Sequence, residues 1–452
     1  MNKYLKTALA LMLGASLASC SSQEQPSAAE PVEVTGTYSI IVTGYDWGPG
    51  VNKAVIAFDT EIESADASMF TVTEKKEATD WTDASFPIIE AETARIVEAA
   101  YLSDKDGNQV SDASSYVTLE LYVSPSEGSP INYNAHTMFN TWCDPYELNI
   151  AVADDAALNT VNGEAESVTI DSAYTAMTTN ADAFVTKNYT ASDGTEYGYG
   201  LYETDSDVLF VWLHGFGEGG AGLVEGTDPK VSALGNRVTA FIQDEFQNAL
   251  GGANVLVPQS PTYWNDPDGT HDYTDSDSVL AKSAEFNGAS YYTESMDELI
   301  QKVKEDTGST KVVIAGCSSG GLMTMNMALT YGDKYDAYIP IAEGIASESI
   351  SDKQIADLAK LNMYFIYSMD DNAADVTLYS DAIVNRILDA GAENVKRFAS
   401  EHVIDTSGKY KDENGNPYQY AGHWSWIYFD NNEADADDGS GDVFSWIAAQ
   451  VH

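Results

Sequence analysis

The chain has 452 residues, 44% of them hydrophobic, and carries 71 acidic against 22 basic side chains, a formal net charge of −49. So many negative charges repel phosphate backbones and anionic lipid head groups, which argues against nucleic acid as a partner. The length and the apolar fraction are enough to build two hydrophobic cores.

The N-terminus has the features of an export signal. Residues 1–19 contain two lysines, then an apolar run, and no acidic residue, which is typical of a secretory signal too short to span a membrane as a helix. The signal ends in Leu-Ala-Ser-Cys at residues 17–20, which resembles the lipobox of bacterial lipoproteins. The resemblance implies that Cys20 is lipidated and that the protein is exported and anchored to the cell envelope. A plain signal peptide cleaved elsewhere is the alternative.

Residues 20–33 are rich in Ser, Gln, Glu, Pro and Ala, which predicts a flexible tether. Beyond residue 19, 20 basic residues face 71 acidic ones, because the signal holds two lysines and no acidic residue. Besides Cys20 the chain has only Cys143 and Cys317, for which we predict two buried free thiols rather than a disulfide.

Residues 34–182 consist of short β-branched and aromatic runs separated by polar residues. The spacing predicts strands at residues 37–42, 53–58, 70–73, 94–97 and 116–123. Asp106-Gly107 is a hairpin-turn signal, and Asp193-Gly194 is another just past the boundary. We therefore predict an antiparallel β-sandwich for these residues. His136 is the only histidine of this region and has no catalytic residues near it in the sequence, so we expect the domain to shape a site or to bind a ligand rather than to carry the chemistry.

Residues 183–452 alternate strands with helices. The pattern predicts strands at residues 208–213, 254–257, 311–315, 337–341 and 363–367, and helices near 237–250, 293–305, 376–389 and 443–451. This alternation indicates a doubly wound α/β domain with a mostly parallel sheet. In such sheets the chemistry gathers at the carboxyl ends of the strands.

A Gly-x-Ser-x-Gly motif lies between one predicted strand and the next helix, in G-C-S-S-G-G at residues 316–321. Strand, sharp glycine-flanked turn and helix together are typical of a nucleophile elbow, which predicts Ser318 as a nucleophile. A chance Gly/Ser turn is the alternative.

A glycine-rich loop follows the first buried strand, as H-G-F-G-E-G-G at residues 214–220. Glycines there allow backbone N–H groups to face a substrate, so we predict an oxyanion hole formed by the N–H groups of Phe216 and Ser319. An ordinary loop is the alternative. His214 precedes the nucleophile, which favours a role in bracing the loop over a role as base.

From about residue 188 onward the chain resembles the α/β-hydrolase superfamily. The matching pieces are W-L-H-G-F-G-E-G at 212–219, V-P-Q-S-P at 257–261, the elbow at 316–321, S-M-D-D at 368–371 and G-H-W-S-W at 422–426. The likeness is to secreted bacterial esterases related to the prolyl-oligopeptidase and polyester-depolymerase branches, some of which carry an N-terminal immunoglobulin-like domain. This resemblance implies an immunoglobulin-like fold for residues 34–182. It also implies that the site residues follow the family's chain order, in which the serine comes first, then the acid and then the histidine.

By this resemblance Asp371 is the acid and His423 the base. Asp370 is the neighbouring rival, and the residues after Asp371 depart from the Val–Pro common in the family. Of the other downstream histidines, His402 falls in a strand-like stretch and His452 ends the chain.

These residues predict a serine carboxylesterase that needs no cofactor and no metal. A peptidase of the prolyl-oligopeptidase type is a second hypothesis, although residues 34–182 are too few for a propeller. A non-catalytic surface-binding lipoprotein is a third. The substrate class would be a small or carbohydrate-linked ester, and membrane contact is expected only through the lipid anchor.

Two further features stay open at this point. Aromatic residues near the loops, Tyr263, Trp264, Trp424 and Trp426, could bind a sugar or aryl group or could be packing. Acidic stretches at 266–277 and 430–442 could bind calcium but lack EF-hand spacing, so solvated loops are the simpler interpretation. The oligomeric state is not predictable from these patterns.

Overall fold

The structure is a computed structural model that describes residues 32–221, 225–269 and 289–452. The predicted signal, Cys20 and residues 20–31 of the predicted tether lie outside the described residues, as does most of the acidic stretch 266–277. The last two residues assigned to the tether, 32 and 33, belong instead to the first strand.

The N-terminal domain is all-β. Its strands are β1 Val32–Tyr45, β2 Gly48–Ile62, β3 Phe70–Thr79, β4 Ile88–Arg95, β5 Val97–Ser103, β6 Ser114–Leu121, β7 Ile131–Asn134, β8 Phe139–Trp142, β9 Tyr146–Val152, β10 Asn159–Thr160, β11 Gly163–Ile170 and β12 Met177–Thr179. Each predicted strand falls on one of these except 94–97, which the structure divides at Ile96 between β4 and β5.

These strands form two main sheets and a hairpin. The larger sheet has the order β12-β1-β11-β10-β2-β6-β5, the smaller is β4-β3-β9, and β7 pairs with β8 alone. The pairing is mostly antiparallel, but β1 runs parallel to both β11 and β12. Alternate residues of β1 point inward, so Tyr38, Ile40 and Val42 are fully buried. The predicted sandwich of immunoglobulin-like type is confirmed.

The second half is built on an eight-stranded sheet. Its strands are β13 Val185–Thr190, β14 Glu196–Tyr202, β15 Val208–Leu213, β16 Asn254–Gln259, β17 Lys311–Cys317, β18 Ala337–Ile341, β19 Met363–Ser368 and β20 Val395–Ser400. The order is β13-β14-β16-β15-β17-β18-β19-β20. β13 and β14 pair antiparallel and are joined by the predicted turn at Gly194, and β14 also pairs antiparallel with β16. From β16 to the far edge of the sheet, neighbouring strands run parallel.

Helices cover both faces of this sheet. Those of the described residues are α1 Pro229–Gly235, α2 Asp244–Ala249, α3 Thr293–Thr307, α4 Ser319–Tyr331, α5 Asp352–Leu358, α6 Ser380–Asp389, α7 Trp426–Asp430 and α8 Val443–Val451. The helix expected near residues 237–250 is instead a 3₁₀ turn, Val238–Ile242, followed by α2, with the break at Gln243. The predicted doubly wound α/β architecture is confirmed.

The two halves share a hydrophobic core. One continuous cluster joins Ile40 and Phe58 of the β-sandwich with Phe241 and Phe429 of the α/β domain. Polar contacts reinforce it, including an ion pair from Arg237 to Asp46 at 2.6 Å. The N-terminal domain is therefore fixed against the α/β domain through a packed interface.

The remaining observations on the fold concern the cysteines and the length of the helices. Cys143 and Cys317 are both buried free thiols, as predicted, and burial raises the pKa of the Cys143 thiol to about 12. Among the described residues, none of the helices combines the length and the apolar character needed to cross a bilayer.

Candidate active site

Ser318 lies in the turn between β17 and α4, with φ 54° and ψ −117°. Such backbone angles are strained for a residue other than glycine and are held here by the close packing of the turn. A Cβ on Gly320 would come within 1.9 Å of the Leu213 carbonyl oxygen, and one on Gly316 within 2.6 Å of the Gly320 oxygen. The flanking glycines are therefore required by space, and the turn presents Ser318 at the carboxyl end of the sheet.

The predicted serine, histidine and acid form one hydrogen-bonded chain. The Oγ of Ser318 lies 2.8 Å from Nε2 of His423, and Nδ1 of His423 lies 2.8 Å from Oδ2 of Asp371. The other carboxylate oxygen of Asp371 accepts from the N–H groups of Ala373 and Ala374 at 2.9 and 3.0 Å. A carboxylate at Nδ1 places the proton on that nitrogen, so Nε2 is free to accept the serine proton.

Asp370 has a different partner. Its Oδ2 lies 2.7 Å from Nδ1 of His402 and 3.1 Å from Nε2 of Gln419, and its Oδ1 accepts from Ser368. His402 follows the end of β20 rather than lying within a strand, and its side chain is 54% exposed. The two neighbouring aspartates therefore hold two different histidines, and only Asp371 belongs to the chain that reaches Ser318.

The predicted oxyanion donors follow two neighbouring strands of the sheet, β15 and β17. Ser319 is the first residue of α4, and Phe216 begins a 3₁₀ turn, Phe216–Glu218, after β15. Within the described ranges, no hydrogen bond uses the N–H of either residue. The Ser319 hydroxyl is occupied, since it donates to Asn265 at 2.7 Å and accepts from the Trp264 N–H. The Ser319 N–H also lies at the positive end of the α4 dipole, which favours an anion there.

His214 is enclosed beneath the glycine-rich loop. Its Nε2 accepts from the Ser260 N–H at 2.9 Å, and its Nδ1 lies 2.5 Å from the Gly215 carbonyl oxygen. Burial lowers the pKa of His214 to about 4, so the ring is neutral near pH 7. These contacts tie the loop to β16 and leave His214 unable to serve as the base for Ser318.

The N-terminal domain supplies contacts to this loop that the sequence did not reveal. The ring of Phe139 on β8 stacks on Phe216 with centroids 5.7 Å apart, and Phe216 in turn stacks on Tyr263 at 4.5 Å. Next to it, the Asn140 side chain donates to Oε1 of Glu218 at 2.9 Å. No local pattern marks Phe139 or Asn140, because their partners lie more than seventy residues away in the chain.

Glu218 is buried at this interface, and within the described ranges no Lys or Arg side chain forms an ion pair with it. Burial raises the pKa of Glu218 from its ordinary value of 4.5 to about 7. The folded chain thus holds this carboxyl neutral at a pH where the unfolded chain ionises it. The contribution of the neutral Glu218 carboxyl to the free energy of unfolding is therefore complete below about pH 4.5 and is lost as the pH rises to about 7.

Replacing Glu218 with glutamine is expected to make the free energy of unfolding less dependent on pH between about 4.5 and 7, because the amide has the shape of the carboxyl and does not ionise. At pH 8 the variant should have a free energy of unfolding up to about 3 kcal/mol higher than the wild type, and near pH 4 the two should converge. Urea unfolding from pH 4 to pH 8 measures this, with the exposed Glu413→Gln as the control. A constant difference between Glu218→Gln and wild type across that range contradicts the buried neutral carboxyl.

The other candidates from the sequence are resolved differently. Tyr263 and Trp264 are fully buried, Trp426 is buried and Trp424 half-buried, so the aromatic surface considered for these four residues is wrong and they are packing. In the part of the chain that the structure describes, no group of three or more His, Cys, Asp or Glu side chains is arranged to hold a metal ion.

The structure combines an immunoglobulin-like domain with a domain of the α/β-hydrolase fold, in which a serine, a histidine and an aspartate form one hydrogen-bonded chain. Residues 37–167 match the family model described as the esterase Ig-like N-terminal domain. The comparison with curated proteins found no match.

The comparison with solved structures found similar chains. The crystal structure of a thermostable esterase superposes on 88% of this chain and 96% of its own, with a TM-score of 0.63 and 20% identity. An esterase from Pyrococcus furiosus is similar over 48% of this chain and 84% of its own, with a TM-score of 0.34 and 14% identity. A hydrolase from Thermoplasma acidophilum is similar over 48% and 87%, with a TM-score of 0.29 and 17% identity. Only the first of these three has a TM-score above 0.5, and its coverage means that the shared fold extends over both domains of this chain.

Proposed function

We propose that the protein is a serine carboxylesterase that forms an acyl-enzyme on Ser318. The observation that carries the proposal is the continuous hydrogen-bonded chain from Ser318 Oγ through His423 to Asp371. The match of residues 37–167 to an esterase-associated domain supports an ester rather than a peptide bond.

The geometry supports the following steps. His423 Nε2 takes the proton from Ser318 Oγ as the oxygen attacks the ester carbonyl carbon. Asp371 holds the imidazole in orientation and stabilises the cation that forms. The N–H groups of Ser319 and Phe216 bind the oxyanion, each such donor lowering the barrier by about 3–4 kcal/mol. His423 then returns the proton to the alkoxide as the ester C–O bond breaks and the alcohol leaves. In the second half of the reaction His423 takes a proton from water, the water attacks the acyl-enzyme carbonyl, and the carboxylic acid leaves as Ser318 regains its proton.

A peptidase gated by a propeller is disfavoured by the architecture of the N-terminal domain. A propeller needs at least four four-stranded blades around a channel. The described N-terminal strands instead form a seven-stranded sheet, a three-stranded sheet and a hairpin.

The proposal is tested with a serine-directed fluorophosphonate probe and two substrate series. We expect the probe to label Ser318, identified by peptide mass, and p-nitrophenyl esters to be hydrolysed while peptide p-nitroanilides are not. Anilide cleavage with silent esters would favour a peptidase. No labelling and no turnover of either series would favour a binding protein.

Export and attachment to the envelope through a lipid on Cys20 remain part of the proposal. Their support is the N-terminal sequence alone. The mass of the N-terminal peptide of the mature protein tests them, with a diacylated Cys20 as the expected result.

A further inference from the structure

The N-terminal domain exposes a group of aromatic rings that we call the Trp81 platform, formed by Trp81, Phe86 and Tyr133. The Trp81 side chain is 59% exposed and Phe86 is 36% exposed. The ring of Trp81 lies nearly parallel to that of Tyr133, with centroids 6.1 Å apart, and 5.5 Å from the ring of Phe86. Two exposed aromatic residues thus adjoin a third, half-buried ring, and contiguous exposed apolar groups of this kind are candidate binding surfaces.

The loop that carries the platform is tied down rather than loose. Asp80 accepts from both the N–H and the hydroxyl of Thr82, and Asp83 accepts in the same way from Ser85. All four bonds use Oδ1, and Asp83 is exposed while Asp80 is half-buried. The loop that carries Trp81 and Phe86 therefore also carries two carboxylates able to accept further hydrogen bonds.

Phe86 has a left-handed backbone conformation, with φ 47°. A bulky residue at positive φ is strained, so this phenylalanine is held beside Trp81 at a conformational cost. Strain of this kind concentrates at sites that bind ligands.

The platform adjoins the loop of the candidate active site. Tyr133 lies on β7, and its Cε2 would be 3.5 Å from a Cβ on Gly217. Gly217 directly follows Phe216, the proposed oxyanion donor, and the partner strand β8 places Phe139 on that same phenylalanine. Tyr133 therefore links the exposed ring of Trp81 to the loop that carries the proposed oxyanion donor.

We propose that the Trp81 platform binds the saccharide part of an ester substrate whose acyl carbonyl lies at Ser318. The inference rests on the proposed esterase function for the position of the acyl group. The apolar faces of pyranose rings stack on aromatic rings, while their hydroxyls donate to carboxylate oxygens such as Oδ2 of Asp80 and Asp83.

The exposure of the platform decides between occupants. An alkyl chain lying on it would keep one side in water and lose part of its hydrophobic gain, whereas a sugar chain remains hydrated on its outer side. The net charge of −49 disfavours anionic polymers, so a neutral saccharide is the class that fits.

Binding is measured without catalysis in the background Ser318→Ala, using an acetylated xylo-oligosaccharide as the probe and calorimetry as the readout. Adding Trp81→Ala is expected to weaken binding about fivefold to tenfold. Phe86→Gly is the second variant, because glycine adopts positive φ without strain and the loss of the ring is then separated from any loss of fold. Val161→Ala, 49% exposed on the far turn between β10 and β11, is the control and should bind as its background does.

In the wild-type background, Trp81→Ala should lower the ratio of kcat/KM for the acetylated oligosaccharide to that for p-nitrophenyl acetate by a similar factor. An unchanged ratio and unchanged calorimetry in both ring variants would overturn the platform. So would a dimer that Trp81→Ala dissociates, which would assign the rings to a second copy of the chain. Failure of wild type to hydrolyse any ester would contradict the proposed function instead, since the binding measurement does not depend on turnover.

Discussion

Replacing Ser318 with alanine is expected to lower kcat for p-nitrophenyl acetate by about 10⁴- to 10⁶-fold. The hydroxyl is the atom that His423 activates from 2.8 Å, and the turn has no second hydroxyl in that position because Ser319 Oγ is bonded to Asn265. Alanine at 318 keeps the side-chain Cβ and the strained turn, so the melting temperature should change little. Steady-state kinetics and a thermal melt on the same preparation measure both.

The control for this variant is Ser440→Ala, an exposed serine far along the chain, which should retain wild-type turnover. His423→Ala should lose activity to a similar extent, and the double variant Ser318→Ala with His423→Ala should lose little more, because residues acting as one unit are not additive. Additive losses, or a Ser318→Ala enzyme with substantial ester turnover, would contradict Ser318 as the nucleophile.

Local sequence was sufficient for the parts of the site that depend on short-range geometry. The apolar run before residue 316 and the helix-forming run after 321 define β17 and α4, and the glycines between them leave Ser318 one backbone conformation. The order of the residues along the chain then favoured His423 over His214 as the base. In the structure His423 lies beside Ser318, whereas His214 is buried and bonded to the backbone.

Neighbouring residues of similar chemistry could not be separated in this way. Asp370 and Asp371 both follow β19, and the local pattern does not say which carboxylate faces which histidine; only the family resemblance favoured Asp371. The division depends on the distant His402 and Gln419, which reach Asp370 across a loop. Side-chain direction at the end of a strand is set by such tertiary contacts rather than by the local pattern.

Aromatic residues posed the same problem. Trp264 and Trp81 are both tryptophans in polar loops, yet Trp264 is fully buried against Tyr197 and Tyr292 while Trp81 is 59% exposed. Exposure of a large ring depends on which elements pack over its loop, and these are far apart in sequence. The contribution of β7 and β8 to the oxyanion loop was hidden for the same reason.

The acid assignment gives the second large effect. Asp371→Asn is expected to lower kcat for p-nitrophenyl acetate by about 10⁴-fold, while Asp370→Asn should reduce it by less than about tenfold. With Ala373 and Ala374 donating to one side-chain oxygen, the asparagine amide turns its NH₂ toward Nδ1 of His423. Nδ1 must then accept, so the proton moves to Nε2 and that nitrogen can no longer take the proton of Ser318.

The two variants are matched because they make the same chemical change at adjacent positions after the same strand. Asp370→Asn disturbs the contacts to His402 and Gln419, so it should appear mainly as a lower melting temperature with Ser318 still reactive toward a fluorophosphonate. Asp371→Asn should lose reactivity toward that probe as well, since the probe also requires Nε2 as a base. If Asp370→Asn were instead the inactive variant, His402 rather than His423 would be the working base, and the hydrogen-bonded chain from Ser318 to Asp371 would have no catalytic role.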